Sequence, residues 1–153
     1  MIRDLSGKRK TGLKGPNAAA WLASQGIEVP AQPNTWKSLV TGFIGRLSET
    51  EFFIEDGPAL KQEMPAGVYP VPREDACFEL SGAAIHEVLL QTCSVDFQSQ
   101  SGGERLFLTS MAGVPVLAIP EGARIRIWAD PTFGPYLWHT LSGIVQEIKG
   151  GTA

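Results

Sequence analysis

Two stretches of the chain carry the same arrangement of apolar and polar positions. The later one, residues 77–97, reads C-F-E-L-S-G-A-A-I-H-E-V-L-L-Q-T-C-S-V-D-F. It predicts a short strand, a tight turn at Leu80-Ser81-Gly82 and an amphipathic helix. Ile85, Val88, Leu89 and Thr92 fall at i, i+3, i+4 and i+7, one stripe of a 3.6-residue helix. Ser81 stands where an N-cap belongs. The earlier stretch, Leu13-Lys14 followed by G-P-N-A-A-A-W-L-A-S-Q-G-I, matches it at an offset of 67 residues. Leu13 aligns with Leu80, Gly15 with Gly82, Trp21 with Val88 and Leu22 with Leu89.

The remaining pattern extends this duplication. Residues 1–8 read as loosely ordered and residues 9–13 as a strand. The first helix opens at Pro16, tolerated in a first turn, and stops at Gly26. Residues 29–36, with Pro30 and Pro33, read as a connector. Residues 38–47 alternate, with Leu39, Thr41, Phe43 and Leu47 on one side. Ser48-Glu49-Thr50 turns the chain and residues 51–55 return, a hairpin. Asp56-Gly57-Pro58 ends it, residues 59–64 read as a remnant helix, and Pro65, Gly67, Pro70 and Pro72 as a linker.

In the second half, residues 98–103 form a polar loop. Strands are predicted at 105–111, 114–119 and 123–129, with turns at Ala112-Gly113 and Pro120-Glu121-Gly122. Ala123, Ile125, Ile127 and Ala129 face one way; Arg124, Arg126 and Trp128 face the other. Asp130-Pro131-Thr132 starts a last helix, with Thr132 as N-cap and Pro135 in the first turn. Its stripe is Leu137, Leu141, Ile144, Val145 and Ile148, and Gly150-Gly151 ends it. F-F-I-E-D-G-P from Phe52 aligns with R-I-W-A-D-P from Arg126, an offset of 74. The order strand, helix, hairpin, helix thus occurs twice. Short turns favour antiparallel pairing, and helices on antiparallel sheets give an α+β fold. The expected organisation is one domain, 9–149, of two repeated lobes, 9–64 and 73–149.

Composition narrows the function classes. A net charge of −3 and a pI near 5.4 argue against a nucleic-acid partner, which selects a basic face. Lys8-Arg9-Lys10 reads as a solvated tail. No apolar leader follows Met1-Ile2-Arg3-Asp4, and the longest apolar run, 114–119, is too short to span a bilayer. Cytoplasm, with no membrane partner, is the expectation. Two cysteines, Cys77 and Cys93, make no disulfide scaffold, and neither has a second ligand at metal spacing.

Candidate chemistry is sparse. No Gly-x-Gly-x-x-Gly or Walker A motif occurs, and Gly102-Gly103 reads as a plain loop. His86, beside Glu87, and His139 could each serve as a base, but the structural reading is preferred because neither has an evident nucleophile or orienting acid nearby. Glu49, Glu51, Glu55 and Asp56 crowd one hairpin. They are either an acid/base or pterin-gripping set, or one solvated face. Arg105, Arg124 and Arg126 form a basic patch if their strands are neighbours. Of four tryptophans, Trp21 points inward by its helix stripe, and Trp138 lies beside His139. Trp36, in the connector, and Trp128, on the polar side of its strand, are interface anchors or inter-lobe core. No catalytic or metal residue is assigned, and no cofactor-binding residue can be named.

The paired Leu-x-Gly turns, the 77–97 run and the closing A-D-P-T-F-G-P-Y-L-W-H-T-L resemble the gamma-subunit family of heterotetrameric sarcosine oxidase. That subunit is itself related to the folate-binding aminomethyltransferase fold of the glycine cleavage system. The resemblance covers residues 10–149. It implies an accessory, non-catalytic subunit of an amine-oxidising complex that demethylates sarcosine to glycine and passes the one-carbon unit to tetrahydrofolate. FAD, FMN, NAD and tetrahydrofolate would be held by larger alpha and beta subunits, and none by this chain alone. The rival expectation is a stand-alone folate-binding or aminomethyltransferase-like one-carbon protein, with weak folate binding between its lobes. In that case acids from the hairpin of residues 49–56 would grip the pterin.

Overall fold

The computed structural model describes residues 1–61, 63–100 and 103–150. Gln62, Gly102 and Gly151, on which parts of the remnant-helix, loop and helix-stop expectations fall, lie outside the described residues. The chain is α+β with two antiparallel five-stranded sheets. Its elements are β1 (Ile2–Asp4), β2 (Lys10–Lys14), α1 (Ala18–Ser24), β3 (Thr35–Ser38), β4 (Phe43–Arg46), β5 (Glu51–Glu55) and β6 (Tyr69–Val71). There follow β7 (Ala76–Ser81), α2 (Ile85–Thr92), β8 (Phe107–Met111), β9 (Val114–Glu121), β10 (Arg124–Ala129), a 3₁₀ turn (Pro131–Phe133) and α3 (Gly134–Gly150). One sheet runs β3-β4-β5-β2-β6, the other β8-β9-β10-β7-β1.

Two compact units result. The first holds Lys8–Arg73 and Glu104–Leu106; the second holds Met1–Gly7, Glu74–Gly103 and Phe107 onward. The strand order is the same in both, and so is the origin of the outer strand. Each sheet places beside its first strand (β2 or β7) a three-residue strand, β6 or β1, that lies just ahead of the other repeat in sequence. Neither short strand is legible as local alternation. The N-terminal segment is therefore not loose. Ile2 pairs with Leu80, and Leu5 N–H donates to the Cys77 carbonyl at 2.8 Å.

Gly15 and Gly82 occupy equivalent turns, each between a first strand and its helix, at φ +131° and +103°. Ser81, however, is the last residue of β7. The residue before α2 is Ala84, with no side-chain cap. In α1, Gly26 at φ +79° closes a Schellman motif: its N–H donates to Ala23 and that of Ile27 to Leu22. The last helix starts later than the sequence predicts. Asp130, not Thr132, caps the 3₁₀ turn, and its carboxylate accepts the Thr132 amide at 2.9 Å and hydroxyl at 2.6 Å.

Register corrects the second offset. Phe52 faces Leu13 as Ile125 faces Leu80, and Ile54 faces Thr11 as Ile127 faces Phe78. The offset in this strand is 73, not 74, and a slip of one residue exchanges the two faces of a strand. Further back, Ile44 faces Ile54 as Ala118 faces Ile127, which restores 74. Between β4 and β5 three residues, 48–50, lie beyond the pair closed by Leu47 N–H to the Glu51 carbonyl at 2.8 Å. The β9–β10 turn has two, Gly122 and Ala123.

One face of each sheet carries helices. In the second unit Phe78, Leu80, Val116, Ala118, Ile125 and Ile127 are buried with Val88 and Leu89 of α2 and Leu137, Leu141 and Val145 of α3. Each fully buried aliphatic side chain contributes about 1.5–3 kcal/mol. In the first unit Leu13, Ile44, Phe52 and Ile54 are buried with Ala18, Trp21 and Leu22 of α1. The described residues of 59–64 form no helix; only Leu60 and Met64 pack, partly buried, on that core.

Candidate functional site

In the first unit the four acids do not converge. Glu49 is exposed and pairs with Arg46 at 3.3 Å. Glu51 lies opposite Lys14 in the ladder. Glu55 is 1% exposed, so the single solvated face expected of these acids does not exist. It sits between Lys10 and Phe43 in register. Asp56, at φ +51°, accepts the Lys8 ammonium at 2.8 Å and the Arg9 amide at 3.1 Å. The Lys8 hydrogen bond holds its carboxyl below the usual range, against a smaller opposing effect of burial.

Lys8-Arg9-Lys10 is consequently no free tail. Arg9 donates its guanidinium to the Gly57 carbonyl, and Lys10 its ammonium to the Lys8 carbonyl at 2.9 Å. Beside it opens a cleft of about 520 Å³, lined by Arg9 and Thr11, residues 58–61, Met64 and Pro70. No acid lines it.

In the second unit Arg124 and Arg126 share β10, but Arg105 does not join them. It lies ahead of β8, bridged to Thr35 in the first unit. The basic patch is also neutralised. Glu79 meets Arg3 at 3.8 Å and Arg124 at 3.6 Å; Glu121 meets Arg124 at 3.4 Å and Arg126 at 2.9 Å. Sequence reading missed the two acids. Their signal was the ladder itself: Glu79 faces both Arg3 and Arg126, and Glu121 faces Arg124.

His86 is half-buried in a cleft of about 360 Å³ with Ile85, Leu89, Phe97, Pro120 and Arg124. Cys93 and Asp96 lie with it along an adjoining cleft of about 270 Å³. His139 is exposed on α3. Among the described residues no group of three His, Cys, Asp or Glu could hold a metal, and no helix is long and apolar enough to cross a membrane. Cys77 and Cys93 form no disulfide.

No family model and no curated sequence matches the chain. Among solved structures it is similar to a heterotetrameric sarcosine oxidase from Corynebacterium sp. U-96 in complex with pyrrole 2-carboxylate, at a TM-score of 0.79 and 24% identity. The match spans 96% of this chain and 84% of that chain. The two chains share one fold.

The tryptophans divide differently from the expectation. Trp21 is buried in the helix-side core. Trp36 is in strand β3, not a connector; it is half-buried, with its ring edge-on to Phe43 at 6.0 Å. Its Nε1 is enclosed without a hydrogen-bond partner. Trp128 is 1% exposed and is no surface anchor. It does lie on the sheet face opposite Ile127, but that face is apolar here: Cys77 and Leu117 flank it in register, and the Arg126 guanidinium stands 5.2 Å from its ring. The exposed tryptophan is Trp138, 38% accessible, its ring 5.5 Å from that of Phe78 and tilted 50° to it.

Proposed function

We propose that the chain is an accessory subunit of a sarcosine-oxidase-type complex, of the gamma kind. It works in the cytoplasm, bracing larger subunits that hold FAD, FMN, NAD and tetrahydrofolate and carry out the oxidation. The observation that carries this reading is the mutual coverage of the structural match. Covering 96% of one chain and 84% of the other, it pairs this protein with a chain of nearly its own length from a heterotetramer. A catalytic subunit with further domains would be covered only in part.

The disposition of charge supports the same reading. A pterin grip needs carboxylates aimed into a cleft. Here Asp56 is spent on Lys8, Glu49 on Arg46, and Glu55 is buried, while the cleft of that unit is lined by Arg9 and Lys61. This arrangement supports a chain that leaves folate to its larger partners.

The test is co-expression with candidate large oxidase subunits. The chain is expected to co-elute with them as a stoichiometric subunit. Alone, it is expected to carry no flavin absorbance and to give little heat on titration with tetrahydrofolate. Submicromolar folate binding by the isolated chain, lost in Glu51→Ala or Asp56→Ala, establishes the one-carbon alternative instead.

A further inference from the structure

The cleft beside Arg9 occupies a specific place in the repeat. In the second unit α3 follows β10 and packs on β7, on β1 and on α2. In the first unit the corresponding strands are β2 and β6, and the segment after β5 is irregular. The cleft lies on those two strands, through Thr11 of β2 and Pro70 of β6, with Ala59 and Met64 on its other side. Where α3 buries Leu137, Leu141 and Val145, the described residues between β5 and β6 bring Leu60 and Met64, both partly exposed, and Val68, buried just before β6. A volume of about 520 Å³ lies within the range of binding clefts, roughly 300–1,000 Å³.

Charge selects the occupant. Arg9 and Lys61 line the cleft. Of the neighbouring charges, Asp56 and Lys8 are paired with each other, Glu55 is buried opposite Lys10, and Glu63 is exposed but not among the lining residues, which leaves Arg9 and Lys61 as the charged residues of the lining. Lys61 is exposed, and its backbone amide, not its ammonium, is what reaches Gln25. Pro70 has no N–H to offer a further strand, which disfavours strand addition at β6. We propose that this cleft receives an acidic amphipathic helix of a larger partner subunit, laid on β2 and β6 as α3 is laid on β7 and β1. This chain's own α3 carries one acid, Glu147, so a second copy is a poor match. The proposal rests on the accessory-subunit reading. It adds the docking face and the chemistry of the segment that docks, a helix set in a groove by apolar anchors and oriented by rim charge.

The experiment assembles the complex from large oxidase subunits and full-length chain carrying Ala59→Glu, Ala59→Lys or Lys61→Glu, at low and high salt. Ala59 and Lys61 are exposed, so the isolated variants should melt like the parent. Ala59→Glu and Lys61→Glu should weaken assembly about tenfold or more at low salt, and less at high salt. Ala59→Lys adds similar bulk with the opposite charge and should cost less than about threefold. A photo-crosslinking residue at position 59 should join to an Asp/Glu-rich helical segment of the partner. Equal damage from Ala59→Lys and Ala59→Glu, or unchanged assembly in all three, overturns the acidic helix and leaves the accessory reading standing. Failure of the unmodified chain to assemble with any large subunit overturns both.

Discussion

The two units share strand order, turn glycines and an outer strand taken from outside the core hairpin, yet they cover their sheets by different means. The second lays a 17-residue helix, α3, across β7 and β1; the first lays an irregular segment across β2 and β6. Ladder pairing in a sheet with a buried face is strongly specified, because a slip exposes a whole row of apolar side chains. The cover has no such constraint and can be a helix, an irregular run or another chain. Divergence between the units is therefore greatest where the covalent chain is least bound to supply the packing.

That contrast can be broken most forcefully in the core. Leu141→Ala in α3, fully buried, should cost about 2–5 kcal/mol, whereas Leu60→Ala, partly exposed, should cost about 1 kcal/mol. Denaturant unfolding of the full chain measures both; equal losses mean that the irregular segment packs as tightly as the helix.

The paired turns give a subtler comparison. A Cβ on Gly15 would stand 2.1 Å from the Gly67 carbonyl oxygen, but one on Gly82 meets nothing nearer than 3.7 Å. Both backbones are in glycine territory, at about 1–3 kcal/mol of strain for another residue. Gly15→Ala should fall at the top of that range and Gly82→Ala at the bottom. If the order is reversed in thermal melts, the turns are not equivalent.

The smallest effect lies in the acids that follow each sheet. Asp56 is held low mainly by the Lys8 hydrogen bond, Asp130 by the Thr132 hydroxyl and then its amide. A carboxyl lowered by folding stabilises above its unfolded value, near 4, and that contribution is lost as pH falls through the folded value. Asp56→Asn tolerates the left-handed backbone and removes one half-buried ion pair, about 0.2–1 kcal/mol at pH 7. It should flatten the acid limb of the stability curve, an effect that salt erases for Asp56 and spares for Asp130.

Legibility in the sequence followed locality. The Leu13/Gly15 and Leu80/Gly82 repeats were readable because a strand, a glycine turn and a helical stripe sit within one short window. The α3 stripe was readable for the same reason. The register of β5 was not: Phe52, Phe53 and Ile54 are all buried, so alternation fixes no face, and the alignment slipped by one. Trp128 was misplaced by the same blindness. One strand read alone put it with two arginines, whereas its cross-strand neighbours Cys77 and Leu117 make that face apolar. Strands β1 and β6 have three residues each and pair with partners distant in sequence or across prolines. At the candidate site, the basic run at Lys8 was visible but its role was not, because Asp56 and Gly57 reach it across the sheet.

The placement of β1 also sets an order of events during synthesis. Its partner β7 begins at Ala76, so β1 must wait for the whole first repeat to leave the ribosome before it can pair. At about 5–20 residues per second, that delay is several seconds. Meanwhile β2 to β6 can close their sheet among themselves, and Glu104–Leu106 completes that unit only after the second repeat has begun. Each repeat thus holds a thread of the other's making, and a cut between Arg73 and Glu74 leaves both pieces short of a segment. A nascent chain stalled at that point carries a finished sheet and one stranded edge, the form in which unpaired strands most readily recruit the wrong partner.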